Sequence, residues 1–394
     1  MAETVLRIAV LSPYVVYRNV DHAGGQYLAH LLAGLTRAAV DVRLFAPHTA
    51  ENEKLQDRAE FPVYLSTLPN TSRRNRVRRF LGTGSPQPSF TSFVNGLAPE
   101  GRHFLGSCDG IDLQWFAAIA WAPEIRQWRS DAGIVGMAHD VQAESLERSA
   151  SFGPTWRSRL RARLKIPVVR RRELQAMGAL DRVYVFKKTD AERVARRVSV
   201  ALASPYIEPI SWMRPTDSRS PVVVFVAAFA REENQEAARW LLKEIMPAVW
   251  AVSPGVVVRF AGSSPPEWLR AAASVKVEVT GFLDSMTDAY FGAAAAVVPL
   301  LRGAGLKFKT IQALAMGMPV VSTPIGAEGI PTERYPNIRI ESTVGGISEA
   351  IVDSFDFRQE SPSQPVPSFQ EEIDRQLNYW RVLVARRPTD TLPD

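Results

Sequence analysis

The sequence predicts an α/β protein built of two doubly wound parallel-sheet domains, and three observations predict it. Short β-branched apolar runs alternate with amphipathic stretches at helical spacing, the order that yields parallel strands and crossover helices. That rhythm occurs twice, on either side of a stretch carrying Pro205, Pro209, Pro215 and Pro221, where repeated proline stiffens an extended crossing. The length of 394 residues suits two domains at roughly 100–200 residues each. The expected division is 1–204 for the first domain, 205–220 for the linker, 221–366 for the second domain and 367–394 for a terminal helix.

In the first half, residues 7–12 read as a buried strand, and 24–39 as a helix with Leu28, Leu31, Leu32 and Leu35 on one face. Strands are expected at 42–46, 111–115, 133–138 and 182–186. Residues 66–89, rich in Ser, Asn, Pro and Arg, read as a long loop. In the second half, strands are expected at 222–226, 256–261, 275–280, 296–300 and 319–322. Helices are expected at 234–250, with Leu241, Leu242, Ile245 and Val249 inward, and at 308–316. The last helix, 369–386, has no strand after it, so Trp380 and Leu383 need an apolar partner, expected across the domain junction.

Hydrophobic residues make up 46% and charged residues 22%, which excludes disordered and fibrous classes. The net charge of +6 fits a polyanion, a phosphorylated ligand or an acidic membrane surface equally. Cys108 is the single cysteine, so neither an intrachain disulfide nor an all-cysteine metal site can form, and a reducing, cytoplasmic location is expected. The N-terminus lacks a basic region and a small-residue cleavage site, so no signal peptide is expected. The longest weakly polar run, 289–301, falls short of the roughly 20 residues that span a bilayer, and membrane contact is expected to be peripheral.

Open α/β sheets bind ligands beyond the carboxyl ends of their strands, so chemistry should sit in the turns after strands. One such turn ends in Gly24-Gly25 before the first helix, where backbone N–H groups could meet an anion; the alternative is a flexible turn. His139-Asp140 follows another strand. There the imidazole could orient a hydroxyl or serve as a structural hydrogen bonder, and Asp140 could act in the site or cap the next helix. The strongest signal runs from Arg302 to Thr323. A glycine-rich turn, Gly303 to Leu306, opens a helix bearing Lys307, Lys309 and Thr310, and Gly317-Met318-Pro319 ends it before a buried strand. Helix-end amides plus lysine ammonium groups are what a phosphate needs. The Gly-Lys-Ser/Thr of a Walker loop is missing. No His/Asp/Glu cluster with metal spacing occurs.

The segment from Gly303 to Thr323, followed by Gly326-Ala327-Glu328-Gly329-Ile330, resembles the donor-binding signature of the GT-B glycosyltransferases, specifically the retaining family 4 within glycosyl transferases group 1. Phe229 with Asn234, Met246-Pro247, Arg259 to Gly262 and Val279 to Phe282 are similar to the preceding elements in the expected order, and Gly24-Gly25 with His139-Asp140 match the other half. The resemblance covers about residues 5–340 and is loose between 51 and 128. It implies two Rossmann-like domains facing a cleft, with a nucleotide diphosphate sugar as co-substrate on the C-terminal domain and an acceptor on the N-terminal one.

By that resemblance, Lys309 lies on the donor phosphates, Lys307 supplies a second cation, and His139 faces the donor sugar. The implied donor-binding set is Gly24, Gly25, Arg231, Gly262, Gly303, Gly305, Leu306, Lys307, Lys309, Thr310, Gln312 and Glu328, and the implied catalytic set is His139, Asp140 and Lys309. Three departures stand out, the first being that the arginine-lysine pair after the first donor-domain strand is reduced to Arg231 followed by Glu232 and Glu233. Gln312 occupies the place of the family's ribose-binding glutamate, with Glu328 the acid best placed to compensate. The earlier acid of the pair is missing, in a region holding Arg302 and glycines. Sugar transfer to a glycan or glycolipid hydroxyl is implied, retaining and metal-independent, with no other cofactor. A nucleotide-sugar epimerase or hydrolase of the same fold and a non-catalytic scaffold are the rivals.

Residues 156–172 carry eight cations without an acid, and Trp156, Leu160 and Leu164 recur at spacing four. Two readings stand: the stripe packs into the core with a solvated basic face, or it meets an anionic membrane at the inner face. Nucleic acid is not an expected partner, because no stacking aromatics are interleaved.

Overall fold

The computed structural model describes residues 5–18, 20, 23–69, 88–139, 142–152, 156–195, 198–207, 221–283, 286–303, 305–330, 332, 335–357 and 369–386. The chain forms two compact units, one of residues 1–20, 24–204 and 369–394, the other of 21–23 and 205–368.

The first unit is a seven-stranded sheet of β1 (Arg7–Leu11), β2 (Asp41–Pro47), β3 (Val63–Ser66), β4 (Gly110–Gln114), β5 (Gly133–Ala138), β6 (Arg182–Val185) and β7 (Val200–Leu202) in the order β3-β2-β1-β4-β5-β6-β7. Every neighbouring pair is parallel. The order reverses between β1 and β4, which fixes the switch point where such sheets receive ligands. Leu28, Leu31, Leu32 and Leu35 of the Ala23–Arg37 helix are all buried against this sheet, as their spacing predicts. The edge strands β3 and β7 were not legible as strands. Both are short and half-exposed, so they lack the continuous apolar run of an inner strand.

The second unit is a six-stranded sheet of β8 (Val222–Val226), β9 (Val257–Ala261), β10 (Val277–Gly281), β11 (Ala293–Val298), β12 (Val320–Ser322) and β13 (Ile338–Ile340), ordered β10-β9-β8-β11-β12-β13. It too is parallel throughout and reverses between β8 and β11. The long helix expected at 234–250 is broken into Glu232–Trp240, a π turn over Leu241–Ile245, and Met246–Val252. Pro247 has no N–H to return to the preceding turn, and the wide turn lies just before it. Leu241, Ile245 and Val249 are buried, whereas Leu242 is only partly so.

The Phe369–Ala385 helix packs in the first unit. Trp380 and Ile373 are buried there. A Cβ at Gly110 would come within 2.2 Å of the Trp380 ring, and one at Gly34 within 2.2 Å of Ile373, so two glycines make the seat. Gln376 Nε2 donates to Tyr27 Oη at 2.6 Å inside the same packing.

The Trp156–Met177 helix settles one of the two readings of its stripe. Trp156 is 68% exposed, Leu160 48% and Leu164 68%, so the stripe does not pack into the core. Ala162, Val169, Glu173 and Ala176, on the opposite face, are buried. Among the described residues, no helix is long and apolar enough to cross a membrane.

Candidate functional site

Each sheet has its own switch point, and the sequence-derived candidate residues fall at both. In the C-terminal unit the turns there are 227–231 after β8 and, among the described residues, 299–303 and 305–307 after β11, each leading to a helix. Lys307 is the N-cap residue of the Phe308–Ala315 helix and Lys309 lies in its first turn, which holds no acid. Cations at this end oppose the helix dipole, a placement that becomes favourable when an anion arrives.

Lys309 Nζ donates to Asn234 Oδ1 at 2.9 Å and sits 4.9 Å from the centre of the Phe225 ring. Asn234 is held in turn by its own donation to Ala228 O at 2.8 Å. Burial, reinforced by the charges of Arg231 and Lys307, pushes the Lys309 ammonium down to about 7. Lys307 is 6% exposed, donates to Gly305 O at 2.5 Å and stands 3.7 Å from Glu328 Oε2. Gly303 and Gly305 both take positive φ, +135° and +78°, and a Cβ on Gly303 would lie 3.8 Å from both Glu233 and Lys307. Arg231, exposed at the N-cap of the Glu232–Trp240 helix, completes the cationic rim.

Other members of the implied donor set lie around these lysines. Thr310 is fully buried and donates to Gly326 O at 2.7 Å, tying the helix to the turn that carries Glu328. Leu306 packs against the core, and Gln312 lies one turn beyond Lys309, only 6% exposed. Gly262, at φ +136°, has no room for a side chain, since a Cβ would meet Ala227 O at 2.0 Å. It lets the turn after β9 lie against the turn after β8. Arg302 forms ion pairs with Glu236 at 2.5 Å and Glu232 at 3.3 Å, both on the neighbouring helix.

In the N-terminal unit the structure brings Gly24 and His139 together. A Cβ on Gly24 would lie 2.9 Å from His139 Nδ1 and 2.9 Å from Trp115 Cζ2, so glycine is required by two rings. Those rings stack at 4.0 Å and 13°. His139, 9% exposed, shares a 3.0 Å hydrogen bond between Nε2 and Gln114 Oε1, and Gln114 Nε2 donates to Asp112 Oδ1 at 2.9 Å. With its amide group committed to Asp112, Gln114 offers an acceptor, which assigns the imidazole proton to Nε2. Burial raises the Asp112 carboxyl to about 7, against the opposing effect of the Gln114 bond. Gly25 is buried in the first turn of its helix, and Asp140 lies outside the described residues.

Trp115 was not picked out from the sequence. It takes φ +62° directly after β4, a left-handed conformation that costs a bulky residue of order 1–3 kcal/mol. Tyr14, 45% exposed, meets it edge-on at 5.3 Å and 86°. A φ of that sign is set by tertiary packing, so composition and spacing carry no signal for it.

Comparison with known proteins points to one fold family. Residues 220–354 match the family described as Glycosyl transferases group 1. Sucrose-phosphate synthase from Thermosynechococcus elongatus is similar at 16% identity, with 96% of each chain covered and a TM-score of 0.58. HepE of Anabaena, solved in complex with UDP and glucose, is similar at 12% identity over 96% of this chain and 99% of that one, also with a TM-score of 0.58. These likenesses show the GT-B fold. An uncharacterized 44.6 kDa protein in the cps region of Klebsiella pneumoniae is 24% identical over 207 residues, 47% of this chain. The match spans about half of that relative, 53% of its length.

Proposed function

We propose, from a GT-B fold whose 220–354 segment matches the group 1 glycosyl transferases, that this chain moves a sugar from a nucleotide diphosphate sugar to a hydroxyl of a glycan or glycolipid. The observation that carries the reading is the pair Lys307 and Lys309 at the start of the Phe308–Ala315 helix, with Lys309 on Asn234 of the facing helix. A departing diphosphate would find two ammonium groups and the amides of the helix end. Charge-assisted contacts of this kind contribute roughly 1.5–3 kcal/mol each, and more as charge grows on the leaving group. That neutralisation is done by side chains and backbone, so the proposed reaction is metal-independent and uses no other cofactor. The proposed course is retaining. The incoming hydroxyl attacks the face the diphosphate leaves, and its proton passes to a phosphate oxygen. Gln312 is proposed to accept from a ribose hydroxyl, as an amide can.

For the acceptor we propose a lipid-linked or surface-bound glycan met at an anionic membrane surface. Supporting this, the exposed stripe of Trp156, Leu160 and Leu164 is flanked by exposed Arg157, Arg159, Arg161, Arg163 and Lys165, the composition of an interfacial helix. The reading is tested by incubating the purified chain with a panel of nucleotide sugars, with and without glycan acceptors, and measuring released nucleoside diphosphate. Acceptor-dependent release with the sugar recovered on the acceptor in the same anomeric configuration is expected. Release of equal rate without acceptor, or binding with no turnover across the panel, would contradict it.

A further inference from the structure

We propose that Trp115 and Tyr14 form an aromatic platform in the N-terminal unit that receives a pyranose ring of the acceptor, an inference that rests on the sugar-transfer reading for the ligand's role. Four observations converge on it. The two rings stand beyond the carboxyl ends of β1 and β4, at the switch point of the first sheet. Trp115 is held there in a left-handed backbone conformation, φ +62°, that a bulky residue keeps only when its surroundings enforce it.

The surroundings do enforce it. His139 stacks on the indole at 4.0 Å, and the imidazole is fixed from behind by Gln114 and then Asp112. Gly24 leaves space for both rings that any side chain would take. Tyr14 is positioned by Ser12, whose Oγ accepts from Tyr14 N at 3.0 Å and donates to Tyr14 O at 2.7 Å. The fourth observation is exposure. Tyr14 is 45% exposed and Trp115 partly so, whereas neighbouring aromatics such as Tyr27 and Phe116 are buried. The indole packs against the core of this unit and still keeps part of its surface exposed beside Tyr14.

The chemistry selects the ligand. Aromatic rings offer flat apolar faces with a negative quadrupole, which suit the polarised C–H face of a pyranose while its hydroxyls stay at the edge. The charged groups suited to a diphosphate, Lys307 and Lys309, belong to the other unit. His139 is then a positioning residue for the indole in this subsite.

The test uses the full chain with 15N-labelled tryptophan, following indole N–H signals while methyl α- and β-pyranosides of glucose, galactose and mannose are added. The Trp115 signal is the one lost in Trp115→Phe. At least one glycoside should move it along a saturable curve. Trp115→Phe should weaken that glycoside by about tenfold, read from a saturation-transfer signal on the sugar. Trp115→Asn, whose side chain tolerates the left-handed region and so keeps the turn folded, should abolish it while melting cooperatively. A Trp115 signal unmoved by every glycoside, or moved only by uridine, adenosine or guanosine, overturns the platform. Nucleoside diphosphate binding, followed in the same sample, separates the two readings: glycoside response without it leaves the platform and removes transfer, and its presence beside a silent Trp115 removes the platform alone.

Discussion

Lys309 shows how much one position can carry. Its ammonium is held down to about 7 by burial and by the neighbouring charges of Arg231 and Lys307, so near neutrality it is only partly protonated in the free protein. A bound diphosphate favours the charged form and raises that pKa. Proton uptake on binding should therefore be small at pH 6 and substantial at pH 8, and affinity should fall as pH rises through 7. Calorimetry in two buffers of different ionisation heat reads the uptake directly, and equal heats at pH 8 would contradict it. Lys309→Ala should lower turnover by roughly 10²–10³-fold, the scale of losing one preorganised charge, as measured by nucleoside diphosphate release. Lys309 was legible because a glycine-rich turn followed by spaced lysines is a local pattern. Trp115 was not, because the sign of its φ depends on Gly24 and His139, which are distant in sequence. Gly262 shows a third case: the motif was visible, and its structural reason, the 2.0 Å approach to Ala227 O, was not. Gly262→Ala should destabilise the fold by roughly 2–4 kcal/mol through clash and strain together, seen as a lower denaturation midpoint.

At the scale of elements, legibility follows burial. Inner strands such as β5 and β8 were read with their observed bounds, Gly133–Ala138 and Val222–Val226, since both faces are covered and the run is uniformly apolar. β13 was missed for the reason that hid β3 and β7: its three residues lie on an edge and are largely exposed. The Trp156–Met177 helix was ambiguous because a stripe at spacing four looks the same whether it faces a core or a lipid surface. Its exposure of 68% at Trp156 and Leu164 decides against the core, and the helix uses its opposite face for packing instead. Replacing Arg159, Arg163 and Arg171 by Gln should reduce sedimentation with vesicles of anionic phospholipid, more strongly at low salt than at high. Sedimentation that does not change, or was never above that with neutral vesicles, would return the helix to a solvated surface role.

The molecule as a whole repeats one plan. Each unit is a parallel sheet that reverses direction beside its first strand, and each switch point has its own chemistry, cationic in the C-terminal unit and aromatic in the N-terminal one. The division of donor and acceptor, implied by the resemblance and proposed above, accords with that contrast. The double rhythm of the sequence made the plan readable, while the chemistry of the N-terminal switch point was hidden in contacts between Gly24, Trp115 and His139. The most direct test of the central claim is calorimetric titration of UDP, GDP and ADP into the full chain and into its Lys309→Ala variant. The account predicts that at least one nucleotide binds the native chain and weakens by roughly 10- to 150-fold in the variant, the equivalent of one charge-assisted contact. Binding of none of them, or binding indifferent to the loss of that ammonium, would contradict it.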